Sequence, residues 1–127
     1  FNDQSIAKLK TKIICGGANN QLAEQRHGQA LKELGILYAP DYVVNAGGLM
    51  NVFVELEKYS MERAFAKTQT IYDNTLEIFK IAKSENIPTN LAADKLAERR
   101  INQIGKLKQK HSGYTPRTYG TLKVEDR

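Results

Sequence analysis

At 127 residues, with 41% apolar residues, 26% charged residues and a net charge of +5, the chain has the composition of one globular domain with a core of its own. No apolar run nears the ~20 residues that a membrane-spanning helix needs, and Phe1-Asn2-Asp3-Gln4 lacks the regions of a signal peptide, so no membrane partner is expected. The lone Cys15 allows no internal disulfide and favours a reducing, cytoplasmic compartment, while a start on Phe1 inside a turn suggests part of a longer protein.

Residues 2 to 9 read as one capped turn, with Asn2 or Asp3 as N-cap and Ile6 and Leu9 on one side. A short β-branched strand follows near 12 to 17. It stops in Gly16-Gly17 and runs into the polar loop Ala18-Asn19-Asn20-Gln21. Helical pattern is firmest from Gln29 to Leu34, where Gly35 supplies a stop, and a second strand is expected near 36 to 39. Strand, helix, strand implies parallel pairing, which brings the loop at 17 to 20 and the loop at 40 to 45 to the same sheet edge. Ligands of such sheets lie outside the carboxyl ends of the strands.

Tyr38 to Val52 is the most informative run. Pro40-Asp41 ends the strand, with Asp41 read as a turn or cap residue rather than a general base. From Asn45 the period becomes helical: Asn45, Gly48, Leu49, Val52, Leu56 and Tyr59 share one stripe of a helix near 45 to 58. Two adjacent glycines in its first turns cost roughly 1 kcal/mol each against alanine, so something must come close to the backbone, whether a ligand or a packed strand. Two longer helices are expected near 60 to 86 and 89 to 109 as an antiparallel pair. The first has Ser60 as N-cap and a stripe of Met61, Phe65, Thr68, Tyr72, Leu76, Phe79 and Lys83; Thr89 caps the second, whose apolar positions include Ala93, Ala97, Ile101, Ile104 and Leu107. From His111 onward the sequence loses its period and reads as a tail.

Candidate chemistry is narrow. His27 and His111 lie far apart, neither with a ligand partner at helical spacing, so no metal site is expected and both read as surface or helix-packing residues. Arg99, Arg100, Lys106, Lys108 and Lys110 have no aromatics interleaved among them and read as a solvated helix face, so no nucleic-acid partner is expected. Asn19 and Asn45 are the better candidates, because an amide offers both a donor and an acceptor and suits a carboxamide, a ribose hydroxyl or a carboxylate.

The runs G-G-A-N-N-Q-L-A-E-Q-R-H-G at 16 to 28, G-I-L-Y-A-P-D-Y-V-V-N-A-G-G at 35 to 48, I-Y-D-N at 71 to 74 and A-A-D-K-L-A-E-R-R-I at 92 to 101 resemble the amino-acid dehydrogenase family of glutamate, leucine, phenylalanine and valine enzymes. The resemblance is greatest to the leucine enzymes. It implies an α/β fold in which this chain is the C-terminal part of a Rossmann-type NAD-binding domain, with short parallel strands and predominant helices. Residues 1 to 111 would be that part with its closing helices, and 112 to 127 a C-terminal tail. It further implies oxidative deamination of an L-amino acid to its 2-oxo acid with NAD, in a homo-oligomer, with the rest of the dehydrogenase chain as partner.

By the same resemblance Ala18, Asn19 and Asn45 bind the cofactor, while Asn45, Leu49 and Val52 bind the substrate. An apolar residue at Val52, where the glutamate enzymes carry a serine, argues against glutamate. The family's G-x-G-x-x-G and its catalytic lysine and aspartate lie upstream of the matched part, so no catalytic residue is assigned and the chain alone is expected to be inactive. A stand-alone helical binding or assembly module, and a phenylalanine- or valine-type dehydrogenase, remain as alternatives.

Overall fold

A computed structural model describes residues 1 to 56 and 59 to 112, with side chains through Leu107. The chain begins with a single turn, α1 (Asp3–Ile6), whose N-cap is Asn2. The Asn2 side chain accepts from the Ser5 N–H at 2.9 Å and the Ser5 hydroxyl accepts from the Asn2 N–H at 2.8 Å, a reciprocal capping box. Strand β1 (Ile13–Ile14) pairs in parallel with β2 (Leu37–Tyr38), in the register Ile13 to Leu37 and Ile14 to Tyr38. Helix α2 (His27–Glu33) forms the crossover between them. Both strands are shorter than their sequence pattern predicts, and Cys15 lies past the end of β1, exposed. Gly35, at φ +69, makes the left-handed turn out of α2 that the pattern calls for.

One core holds this part together: Ile6, Ile14, Leu31, Ile36 and Tyr38 are buried, with Phe1, Leu9, Leu22 and Ala30 packed around them. Polar ties fix its rim. Arg26 grips both carboxylate oxygens of Asp3, at 2.8 and 2.7 Å, and also Glu24 at 2.8 Å, which joins α1 to the start of α2. His27 is buried as a helix-packing residue, its Nδ1 accepting from the Glu24 N–H at 2.9 Å.

After β2 come a helical turn, α3 (Asp41–Val44), then α4 (Gly47–Leu56) and the long α5 (Met61–Glu85). Ser60 caps α5 as its sequence predicts, accepting from the Arg63 N–H. Asn86, left-handed at φ 54, ends it, and Lys32 of α2 donates to both the carbonyl and the side-chain oxygen of Asn86 at 2.6 and 2.8 Å. Helix α6 (Thr89–Ser112) follows. Thr89 is its first helical residue rather than the cap, because the Ala92 N–H already bonds back to the Pro88 carbonyl.

A second core joins α5 and α6 beside their connecting loop: Ile78, Ile81 and Ala82 meet Ala92, Ala93 and Leu96, with Val43, Phe79 and Ile87 against them. Of the apolar stripe on α5, Phe79 packs against this core. Met61, Phe65 and Tyr72 are exposed, whereas Ala64, Ile78, Ile81 and Ala82 are buried. The side with small Ala64 and Ala82, which admits close helix approach, is the buried one. The chain divides into two compact units at Ala97 and Glu98. In the second, α6 continues to Ser112 with Ile101, Ile104 and Leu107 exposed. The tail expected from 112 onward lies, but for Ser112 itself, outside the described residues. So do the side chains of Lys108, Lys110 and His111.

Candidate functional site

The two loops at the carboxyl ends of the parallel strands do meet. Nδ2 of Asn45, the residue that ends α3, donates to the side-chain oxygen of Asn19 and, at 3.4 Å, to the carbonyl of Gly17. Both bonds use the same amine group. Oδ1 of Asn45 and Nδ2 of Asn19 keep no protein partner among the described residues, so an acceptor and a donor stand side by side on accessible residues.

A buried carboxylate also joins the two loops. Asp41 is only 6% exposed; its Oδ2 accepts from the backbone N–H of Asn20 at 2.9 Å and its Oδ1 accepts from the Tyr38 hydroxyl. The same hydroxyl accepts from the Asp41 N–H at 3.3 Å. Burial, reinforced by this carboxylate, pushes the Tyr38 phenol well above its ordinary range, so the hydroxyl stays protonated and able to donate. Asn20 sits at φ 54, a left-handed conformation that asparagine tolerates, which aims its N–H at Asp41.

The first loop is shaped from the other side by Gln21, whose Nε2 donates to the Ala18 carbonyl at 3.0 Å. A Cβ on Gly16 would stand 2.7 Å from that same nitrogen, so the first glycine makes room for Gln21, whereas a Cβ on Gly17 would meet nothing within 4 Å. Ala18 itself is exposed.

Helix α4 begins two residues after Asn45 and presents two unlike faces. Val54 is fully buried, and Gly47 faces α5, where a Cβ would come 3.8 Å from the Thr68 methyl. The opposite face carries Leu49 at 75% exposure and Val52 at 53%, and a Cβ on Gly48 would meet nothing within 4 Å. Packing within the described residues therefore does not explain Gly48. Lys67 of α5 places its ammonium 4.5 Å from the centroid of the Phe53 ring and covers part of α4's flank.

No protein-family model matches the chain. Individual relatives do. Over 106 residues the chain is 55% identical to the leucine dehydrogenase of Thermoactinomyces intermedius, which covers 84% of this chain and 29% of the relative. It is 48% identical over 113 residues to the phenylalanine dehydrogenase of Bacillus thermotolerans, covering 89% and 30% of the two chains. The crystal structure of L-tryptophan dehydrogenase from Nostoc punctiforme superposes with a TM-score of 0.78 at 52% identity, over 80% of this chain and 31% of that one. Over most of its length this chain is similar to one segment of the amino-acid dehydrogenases.

It spans less than a third of the length of the curated dehydrogenases it matches. The helix-rich architecture with its short parallel sheet is that of a partial α/β domain of the dehydrogenase it superposes on. Among the described residues no group of His, Cys, Asp and Glu is placed to hold a metal ion, and no helix is long and apolar enough to cross a membrane.

The structure brings Asn19 and Asn45 together, places Ala18 next to Asn19 in the first loop, and sets Leu49 and Val52 on the unburied face of α4. Sequence reasoning did not anticipate the tie between Asp41, Tyr38 and Asn20. Its only signal was an aspartate directly after proline, followed by a helix, which points to a cap and carries no hint of a partner 21 residues away.

Proposed function

We propose that this segment forms the nicotinamide end of the cofactor site and one wall of the substrate pocket in an NAD-dependent L-amino-acid dehydrogenase acting on leucine or another branched-chain amino acid. The observation that carries the proposal is the Asn19 and Asn45 pair, held at the carboxyl ends of two parallel strands with a free donor and a free acceptor. A carboxamide offers the complementary acceptor and donor, and Gly17, with no atom within 4 Å of its Cβ position, leaves room for a ring next to the backbone.

In this reading Ala18, Asn19 and Asn45 hold the cofactor's nicotinamide and ribose. The bound nicotinamide supplies the hydride acceptor for oxidation at the amino acid's α-carbon. Asn45 also orients the polar end of the substrate, and Leu49 and Val52 meet its side chain. Their aliphatic, uncharged surface favours an aliphatic substrate over a dicarboxylic one, since a buried unpaired charge is costly. Residues 1 to 111 then belong to a Rossmann-type cofactor domain with its closing helices. The full enzyme is a cytoplasmic homo-oligomer that completes the site from the rest of its chain.

Kinetics of the complete protein with leucine, valine, phenylalanine and tryptophan and with NAD against NADP test this reading. A branched-chain preference with NAD supports it, and a higher kcat/KM for an aromatic substrate overturns the branched-chain assignment. The 127-residue chain alone is expected to be inactive. In titration calorimetry it should show no micromolar affinity for NAD, because the dinucleotide's diphosphate is normally anchored by a glycine-rich loop and helix N-terminus that these residues do not contain.

A further inference from the structure

We infer that Asp41 is a positioning residue of this site: its buried carboxylate, by clasping the Asn20 backbone N–H, sets the distance between Asn19 and Asn45. The inference rests on the reading in which those two amides meet the cofactor and substrate.

Asp41 begins α3 and Asn45 ends it, one helical turn later, so the carboxylate and the Asn45 amide are fixed to the same short rigid element. Asn19 and Asn20 are neighbours in the other loop. A single bond from Oδ2 of Asp41 to the Asn20 N–H, at 2.9 Å, therefore ties the loop that carries one amide to the element that carries the other. The bond from Asn45 to Asn19 cannot do this unaided, since both of these residues are accessible and water competes for their amides.

The clasp is itself locked. Tyr38, 2% exposed and part of the β1 and β2 core, donates its hydroxyl to Oδ1 and accepts from the Asp41 N–H, which fixes the carboxylate's rotamer against the sheet. Asn20 holds φ 54, a conformation that costs an L-residue energy and that persists when its surroundings over-determine it. No ion pair joins Asp41 to a cation among the described residues, and its oxygens go to the phenol and to the loop. The carboxylate oxygens are taken up by the Asn20 N–H and the Tyr38 hydroxyl, so Asp41 acts through the loop that carries Asn19.

The experiment uses the complete dehydrogenase carrying Asp41→Ala, Asp41→Asn or Tyr38→Phe. Lys32→Ala, which removes the tie to Asn86 and no bond of either loop, serves as a control for loss of stability alone. Two readouts are taken: steady-state kinetics, and hydrogen exchange of the peptides covering residues 16 to 22. Asp41→Ala should raise KM for the nicotinamide cofactor at least ~10-fold and speed exchange in that loop. Asp41→Asn keeps one oxygen that can accept from Asn20 and should fall between Asp41→Ala and wild type on both readouts. Tyr38→Phe, which unlocks the carboxylate but leaves its bond to Asn20, should move both readouts in the direction of Asp41→Ala by a smaller amount, and Lys32→Ala should lower the melting temperature while leaving both readouts unchanged. If Asp41→Ala does not fold, Asp41→Asn decides.

Wild-type KM and unchanged loop exchange in a folded Asp41 variant overturn the inference. Faster exchange with wild-type kinetics keeps the clasp but removes its role at the site, which also overturns it. A wild-type protein that oxidises no amino acid overturns the functional reading instead, and the exchange data still report the clasp.

Discussion

The two halves of the candidate site are built by opposite means. Around Asn19 and Asn45 the chain supplies its own scaffold: a buried carboxylate, a protonated phenol, a left-handed asparagine and a glutamine that braces the loop from behind. Around Leu49 and Val52 it supplies only a surface, with α4 anchored by Val54 on one side and apolar residues left bare on the other. Polar recognition needs fixed directions and is therefore prebuilt here, whereas an apolar wall needs only shape and can be completed by another part of a longer polypeptide. The difference between the halves is open to test.

The largest effect is expected on the bare face. In the complete enzyme Val52→Asp should lower kcat/KM for leucine by at least ~100-fold, because placing an unpaired carboxylate against an aliphatic side chain costs several kcal/mol, and each ~1.4 kcal/mol is tenfold. The melting temperature should barely move, since Val52 is 53% exposed in this chain. Full activity on leucine with the fold intact would remove Val52 from the pocket wall. On the opposite face of the same helix the expectation reverses. Val54→Ala should cost about 2 kcal/mol of stability, the transfer energy of two buried methylene equivalents plus a small cavity, and should alter substrate preference little. Denaturant unfolding of both variants, set beside their kinetics, separates the faces of α4.

That α4 has two such faces was legible in part. Gly48, Leu49, Val52 and Leu56 do share one stripe of α4, and the periodicity placed the helix to within two residues at its start, but Asn45, expected on the same stripe, ends α3 instead and lies outside α4. Periodicity reports which residues share a face but not which face meets the core, and here the buried one carries Gly47 and Val54. The same limit explains α5, where Phe65 and Tyr72 of the stripe are exposed while Ala64, Ile78, Ile81 and Ala82 face in. Asn2, Gly35 and Ser60 were better read, because they act through local backbone geometry that few residue types provide, whereas the cap expected at Thr89 falls one residue earlier. The parallel pairing followed from a strand, helix, strand order with too few alternatives. The Asp41 clasp was illegible because its two ends lie in separate loops, and only the folded sheet brings them together.

A smaller change sharpens the contrast at the glycines. Gly48→Ala adds a Cβ that meets nothing within 4 Å, in a helix where alanine is favoured by about 1 kcal/mol, so the isolated chain should become more stable. If a ligand or a further part of the enzyme approaches the backbone at that point, the same change should raise KM in the complete protein. Gain of stability with loss of affinity would mark Gly48 as a functional glycine, and gain of stability with unchanged kinetics would mark it as a neutral one.

The smallest effect concerns the rim where exposed ionic ties supplement the buried packing of Ile6 and Leu31 between α1 and α2. Hydrogen bonds from Arg26 lower the carboxyl pKa values of both Asp3 and Glu24 in the folded chain. A carboxylate whose folded pKa lies below its unfolded one contributes stability above the unfolded value and loses it as pH falls through the folded one. Both carboxylates are solvent-exposed, so screening keeps the contribution slight. Arg26→Ala should therefore melt slightly below wild type at about pH 7, and the two melting curves should converge as pH falls below the ordinary carboxylate range of about 4. Raising salt at neutral pH should narrow the gap as well. A gap that persists at low pH would mean that Arg26 holds α1 through its alkyl packing rather than its charge.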